Sequence, residues 1–281
     1  MMKRIRTALC LILAAALLAG CAFLPSESEP EALAPADPLT GHPLEWPGQR
    51  PVAVTIENST ASATQWGISS ASVVLEALTE AGMATELCLV YPALAATPKV
   101  GPVAAGQDIY WRLLVGQQPL PVQRGGGQFD QNYLDYYSIR AVDALEAGRT
   151  AFDCGSEWSN APLWYTSGSA VSKVLDALSI SAVLTESRVT SAASAAAASA
   201  SSGSDAVLTV PALLPQEEDG KLPDATAPDA VNVRVCFDDN NATGFAYDPD
   251  SGLYRMLHAD GTPQLLSLIH ISEPTRQEAI S

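Results

Sequence analysis

Basic residues are scarce in this chain. Fifteen Lys and Arg stand against 31 Asp and Glu, for a formal net charge of −16. That balance argues against a nucleic-acid partner, because such binding rests on neutralising phosphates with Lys and Arg. It equally disfavours polyanionic wall polymers unless a metal bridges them. Histidine is rarer still: only His42, His258 and His270 occur, and no two have metal-ligand spacing. Neither a metal nor a cofactor is expected. The chain also lacks a Gly-x-Ser-x-Gly elbow, and no Lys-Ser or Lys-Thr follows Gly125-Gly126-Gly127, so there is no Walker loop. The apolar run Thr7 to Leu18 is too short for a stable membrane-crossing helix, which needs about 20 residues.

That run nevertheless has a role. Lys3, Arg4 and Arg6 precede it, and Ala19-Gly20-Cys21 follow. A positive stretch, an apolar core and small residues make a secretory signal peptide over 1–20. Cys21 directly after Leu18-Ala19-Gly20 is the lipobox pattern, with cleavage between Gly20 and Cys21 and lipidation of the Cys21 thiol. Two acyl chains hold a protein stably where one does not, at about 0.8 kcal/mol per buried CH₂. The expected location is the outer face of the cytoplasmic membrane. Residues 21–36 begin an acidic, proline-rich tether whose composition persists to Pro47; such a stretch buries too little apolar surface to fold alone.

Strand and helix signals alternate in the body. Pro51–Ile56 and Leu87–Tyr91 predict buried strands, and Leu120–Gln123 a short one. Helices are predicted over Ser69–Ala81 (ended by Gly82), Asp108–Val115, Phe129–Tyr137 and Ser169–Leu178. The expected fold class is α/β, a mixed α+β domain over 37–188. A linker over 189–229 follows, first Ala/Ser-rich and then acidic and proline-rich. From 230 to 265 a small antiparallel β unit is expected: Val231, Val233, Val235 and Phe237 alternate with polar residues, and Asp248–Gly252 supplies a hairpin loop. Cys88 and Cys236 are expected to be small buried strand residues. The three cysteines of the body leave an odd count, and spacing alone selects no disulfide.

The β unit is expected to be truncated. Leu266–Arg276 resembles, residue for residue, the translation of a transposase-type sequencing adapter, with the constant sequence resuming at Ile280-Ser281. Residues 266–281, His270 included, are therefore expected to carry no biology, and the native sequence beyond about Leu265 to differ.

Several short motifs together resemble the YerB-like lipoproteins, a family of unknown function. They are Pro38-Leu39-Thr40-Gly41, Arg50–Val54, Ile56-Glu57-Asn58, Gln65–Ile68 with Glu76, Gly101-Pro102-Val103, Gly125-Gly126, Tyr165-Thr166-Ser167 and Gly252–Arg255. The resemblance also exposes departures. It implies Arg where this chain has Glu86, Ala104 and Gln107, His near Gln123, and a Pro-His-Asn run where Pro162-Leu163-Trp164 stands. Arg at such positions suits carboxylate or phosphate ligands, so any shared anion site is expected to be lost or altered here.

The candidate ligand-binding residues are Glu57, Asn58, Glu76, Gly125, Gly126 and Tyr165. For catalysis, the carboxylates Glu57, Glu76, Glu80, Asp130 and Asp135 could supply an acid–base pair, with solvated surface charges as the favoured reading, and Cys154 is the best nucleophile candidate, without an evident histidine base. Trp158, Trp164 and Tyr165 either stack on a sugar or fill the core, and core is favoured. Two function classes survive. One is a non-enzymatic lipoprotein that binds a wall component or an envelope protein. The other is a hydrolase of an envelope polymer. The missing catalytic constellation favours the first.

Overall fold

The computed structural model describes residues 36–58, 65–79, 82, 84–154, 163–185, 213, 230–257 and 260–263. The chain divides into Met1–Pro35 and Ala36–Ser281, and all described residues lie in the second unit. Gly20, Cys21, most of the tether and linker, Glu80, Trp158, His258 and 266–281 lie outside the described residues.

The domain is mixed α+β, built on a five-stranded sheet in the order β2-β3-β1-β4-β5. Strand β1 (Val52–Glu57) is central, antiparallel to β3 (Thr85–Tyr91) and parallel to β4 (Leu120–Gln123). β5 (Val142–Asp143) continues the parallel side. Both faces are covered, which explains the unbroken apolar runs of β1 and β3. Val52, Val54 and Ile56 enter one core cluster with Leu87, Leu89 and Val122. Ala53, Cys88 and Val90 enter another with Tyr110, Trp111 and Leu114 from helix α1 (Asp108–Leu114) and Tyr133 and Leu134 from α2 (Gln128–Tyr136). Short elements complete the domain: α3 (Ala144–Ala147), a two-strand pair of β6 (Asp153–Cys154) and β7 (Trp164–Tyr165), and α4 (Gly168–Val171).

Two sequence expectations are corrected. The segment expected as a helix over 69–81 is a 3₁₀ turn, Ile68–Ser70, followed by strand β2 (Val73–Leu78). β2 pairs with β3 along its whole length, Val73 opposite Val90 and Leu78 opposite Thr85. Backbone satisfaction of β3 outweighs the helix preference of Leu-Glu-Ala-Leu, since unpaired backbone groups on that edge would be costly. Gly82 turns a hairpin instead of ending a helix: its φ is +65°, and Thr79 N donates to Ala84 O at 2.9 Å. The second correction concerns 169–178, where regular helix stops at Val171. Looser turns follow, with Val174 N donating to Val171 O, yet Val171, Val174, Leu175 and Leu178 still bury as one apolar face.

The C-terminal unit is a separate antiparallel sheet, β8 (Asn232–Cys236), β9 (Ala242–Asp248) and β10 (Leu253–Leu257), in the order β10-β9-β8. The loop joining β9 to β10 is held by Asp248, which accepts from Ser251 Oγ at 3.1 Å and Arg255 Nη2 at 2.6 Å. Cys88 is buried as expected, but Cys236 is exposed, because β8 is an edge strand whose residues are all exposed. All three described cysteines are free thiols.

The two ends of the main domain are clipped together. Arg50 N donates to Ala182 O and Leu184 N to Gly48 O, each at 2.9 Å. The buried Arg50 guanidinium adds bonds to the carbonyls of Gln118 (2.8 Å) and Ser181 (2.6 Å). An apolar cleft lined by Pro38, Leu39, Trp46, Pro51, Pro92 and Leu184 lies at this amino end of β1.

Candidate functional site

The directions of the strands gather polar residues at the opposite end. β1, β4 and β5 run parallel, β2 shares their direction through β3, and β3 runs against them. The carboxyl ends of four strands therefore meet the start of β3. In open sheets with parallel strands, ligands bind outside the carboxyl ends. Glu57, Asn58, Glu76, Thr85, Glu86, Gln123 and Asp143 all fall at this edge.

Glu76 sits at the centre of one network. Its Oε1 accepts from Asn58 Nδ2 (3.0 Å), Thr85 Oγ1 (2.7 Å) and Thr243 Oγ1 (2.6 Å). Thr243 belongs to β9 and is buried, so Glu76 fastens the small sheet to the large one. Met256 of β10 packs on the main core at the same junction.

A second network surrounds Asp130, which has no exposed surface. Its carboxylate accepts from Trp111 Nε1 and, at 2.9 Å, from Gln123 Nε2. Burial pushes the Asp130 carboxyl above the usual aspartate range, and the two donors oppose that shift. Two glycines make room for the pair. Gly106 and Gly126 form a parallel bridge; a Cβ on Gly126 would lie 1.9 Å from Asp130 Oδ2, and one on Gly106 2.0 Å from Gln123 Oε1. Beside this network Gln107 Nε2 donates to Glu86 Oε2, and Tyr110 Oη donates to Glu86 O at 2.6 Å. The four positions where the resemblance implies Arg or His, namely 86, 104, 107 and 123, thus converge at this edge: Ala104 O accepts from Arg124 N and from Thr55 Oγ1. Gln123 Oε1 and Arg124 Nε are buried without a hydrogen-bond partner among the described residues.

The third group is aromatic and charged. The segment 100–103 is bonded on one side to Trp66, whose N donates to Gly101 O at 2.8 Å, and on the other to Thr166, whose N donates to Val100 O at 2.9 Å. Glu57 N donates to Pro102 O at 2.9 Å, bringing the end of β1 to the same place. Arg124 Nη2 lies 3.8 Å from Glu57 Oε1. Burial, and then the Glu57 charge, raise the pKa of the Tyr165 phenol. Lys99 Nζ stands 4.0 Å above the Trp66 ring centroid and 5.0 Å from that of Tyr165.

The structure therefore brings Asn58 and Glu76 together, sets Glu57 near Tyr165, and places Gly125 and Gly126 directly after Arg124. Gly125 forms a turn at φ +68°, and its N–H is taken by both oxygens of Asp143, each at 3.0 Å. Asp143 also caps α3 through Leu145 N at 2.8 Å. The glycine loop thus already holds an internal anion. Trp164 is half-buried against the core, edge-on to Phe152 at 6.4 Å. His42 and Asp135 are exposed and stand outside these networks, and Cys154 is half-buried in β6. Trp66 and Lys99 were not among the sequence candidates. The one signal for Lys99 is its isolation, as the only basic residue between Arg50 and Arg112. Among the described residues, no cluster of His, Cys, Asp and Glu is arranged to hold a metal, and no helix is long and apolar enough to cross a membrane.

The family described as "Protein of unknown function (DUF3048) N-terminal domain" matches residues 39–181. The crystal structure of the YerB protein from Bacillus subtilis is similar in fold, with a TM-score of 0.61 and 23% sequence identity over 82% of this chain and 69% of that one. No curated protein matches the chain in sequence.

Proposed function

The chain belongs to the DUF3048 N-terminal domain family, and from that premise we propose that it is a binding module of the bacterial cell envelope, lipid-anchored through Cys21 and facing away from the cytoplasm. The lipobox supports the location. One observation at the carboxyl edge carries the choice of binding over hydrolysis: among the described residues, the carboxyl whose pKa is raised, Asp130, has no exposed surface. A glycoside-cleaving pair needs a neutral acid within reach of the leaving oxygen and a second carboxylate across the same bond. Asp130 instead serves Trp111 and Gln123. Glu76, Glu86 and Asp143 are likewise engaged by donors of the protein itself. The edge is polar and closely hydrogen-bonded, which suits recognition.

The test is incubation of the chain with purified wall sacculi, followed by analysis of pellet and supernatant. Protein in the pellet with intact wall is the expected result. Soluble fragments accumulating with time would make the chain a hydrolase of an envelope polymer. Protein free in solution over intact wall would shift the partner to an envelope protein, to be sought by cross-linking in cells.

A further inference from the structure

The apolar cleft at the amino end of β1 stands outside the networks at the carboxyl edge. Leu39, Trp46, Pro51, Pro92 and Leu184 line it, together with Asp37. With its open mouth counted it measures about 410 Å³, at the small end for ligand sites of about 300–1,000 Å³. That volume suits one or two apolar side chains. Its walls are held before any ligand arrives. Leu184 N donates to Gly48 O and Arg50 N to Ala182 O, each at 2.9 Å, and proline fixes φ at positions 51 and 92. A site preformed in this way loses little conformational freedom on binding. Trp46 lines the cleft half-buried, and among the described residues no ring or cation stacks on it. An indole so placed offers a large apolar contact with a polar tip, which is why tryptophan is enriched at protein interfaces.

The charge around the cleft is of one sign. Asp37 lines it, and exposed Glu45 lies between the lining residues Leu44 and Trp46. Neither carboxylate forms an ion pair among the described residues. From 22 to 49 the sequence holds five acids and no Lys or Arg, and Arg50 is buried with its guanidinium spent on carbonyls. We propose that this cleft docks a basic segment of a partner protein, with one apolar side chain seated against Trp46 and a Lys or Arg beside it meeting Asp37 and Glu45. The site is separate from the carboxyl edge, which lies at the far end of β1. A second copy of the chain is disfavoured, because it would bring a net charge of −16 against −16. The chain's own linker over 189–229 is disfavoured too, with six acids against Lys221 alone. An uncharged alkyl chain would fill the cleft and leave the two carboxylates unmatched.

The experiment uses the full-length chain in discs of zwitterionic phosphatidylcholine, with empty discs as the blank. Fluorescein-labelled peptides share the core Leu-Pro-Leu and carry Arg, Gln or Glu flanks, and binding is read by anisotropy. The Arg-flanked peptide is expected to bind about tenfold more tightly than the Gln-flanked one, a difference of about 1.4 kcal/mol, and added salt should narrow the gap. Trp46→Ala should weaken the Arg-flanked peptide about tenfold or more. Asp37→Asn with Glu45→Gln should erase the preference and leave the urea midpoint in place, because an amide oxygen at position 37 can still accept from Leu39 N. Asp239→Asn with Asp250→Asn removes the same charge from exposed loops of the small sheet and should keep the preference intact. Equal binding of the three peptides would give the cleft to apolar ligands at large, and a dimer that Trp46→Ala dissolves would give it to a second copy; either overturns the proposal. So would binding that survives Trp46→Ala, a preference lost equally in both double variants, or no binding of any peptide. Pelleting with sacculi is read separately, so the wall reading stands or falls on its own.

Discussion

The bond from Thr243 to Glu76 is the test of whether the small sheet is fastened by a specific polar contact. Glu76 Oε1 accepts three donors, and the donor from β9 stands at 2.6 Å. A hydrogen bond to a charged group contributes about 1.5–3 kcal/mol, reduced here because Glu76 is only half-buried. Thr243→Val removes the donor and leaves no buried polar group on β9, so the expected loss is about 1–2 kcal/mol. Glu76→Ala should be worse, since it removes the acceptor that Asn58, Thr85 and Thr243 share. The double variant separates the shared part: a coupling of about 1–1.5 kcal/mol, roughly a tenfold change in opening, is expected. Hydrogen exchange reads this directly. Amides of β9, such as Tyr247, should lose protection while those of β1, such as Val54, keep it. A coupling near zero, or equal loss in β1 and β9, would refute the assignment of Glu76 as the fastener.

Gly126→Ala should lower stability by about 1–3 kcal/mol, the usual result of overpacking, because its Cβ would fall 1.9 Å from Asp130 Oδ2; a thermal or urea midpoint measures it, and an unchanged midpoint would remove the packing argument. Asp130 gives a pH signature: burial raises its folded pKa, so its contribution is most favourable below the unfolded value and declines as pH rises from about 4 through the folded value. The difference in urea midpoint should therefore shift toward Asp130→Asn on raising pH, and a pH-independent difference would count against the raised pKa. Thiol labelling with iodoacetamide near neutral pH should modify exposed Cys236 first and Cys88 only on unfolding, since Cys88 is fully buried and burial pushes its thiol pKa far up; peptide mapping would show any early labelling of Cys88.

The centre of the fold was legible because local and tertiary signals agree there. β1, β3 and β4 carry apolar runs that suit a sheet covered on both faces, and their limits moved by a residue or two at most. β2 was misread because Leu75-Glu76-Ala77-Leu78 has helical composition, while its conformation is decided by the partnerless edge of β3, which no local window contains. The same reason hid the exposure of Cys236: alternation in β8 marks a strand but not whether anything covers it. The site was half legible. Glu57, Asn58 and Glu76 could be named from motifs, but the pairing of Gln123 with Asp130 and of Thr243 with Glu76 depends on register and docking. Lys99 lies between Pro98 and Val100, where no sequence pattern announces two aromatic rings.

The clip between Gly48–Arg50 and Ala182–Leu184 has a mechanical meaning. A pull applied at residue 36 against residue 185 acts on two short segments, joined by one antiparallel bridge, that leave the same point, so the clip is loaded in the peeling direction, bond by bond, before the central sheet feels tension. The Arg50 guanidinium, spread over the carbonyls of Gln118 and Ser181, is the stop at which peeling would meet the core. A domain closed in this way passes force from one flanking segment to the other while its carboxyl edge, at the far end of the sheet, stays unstrained.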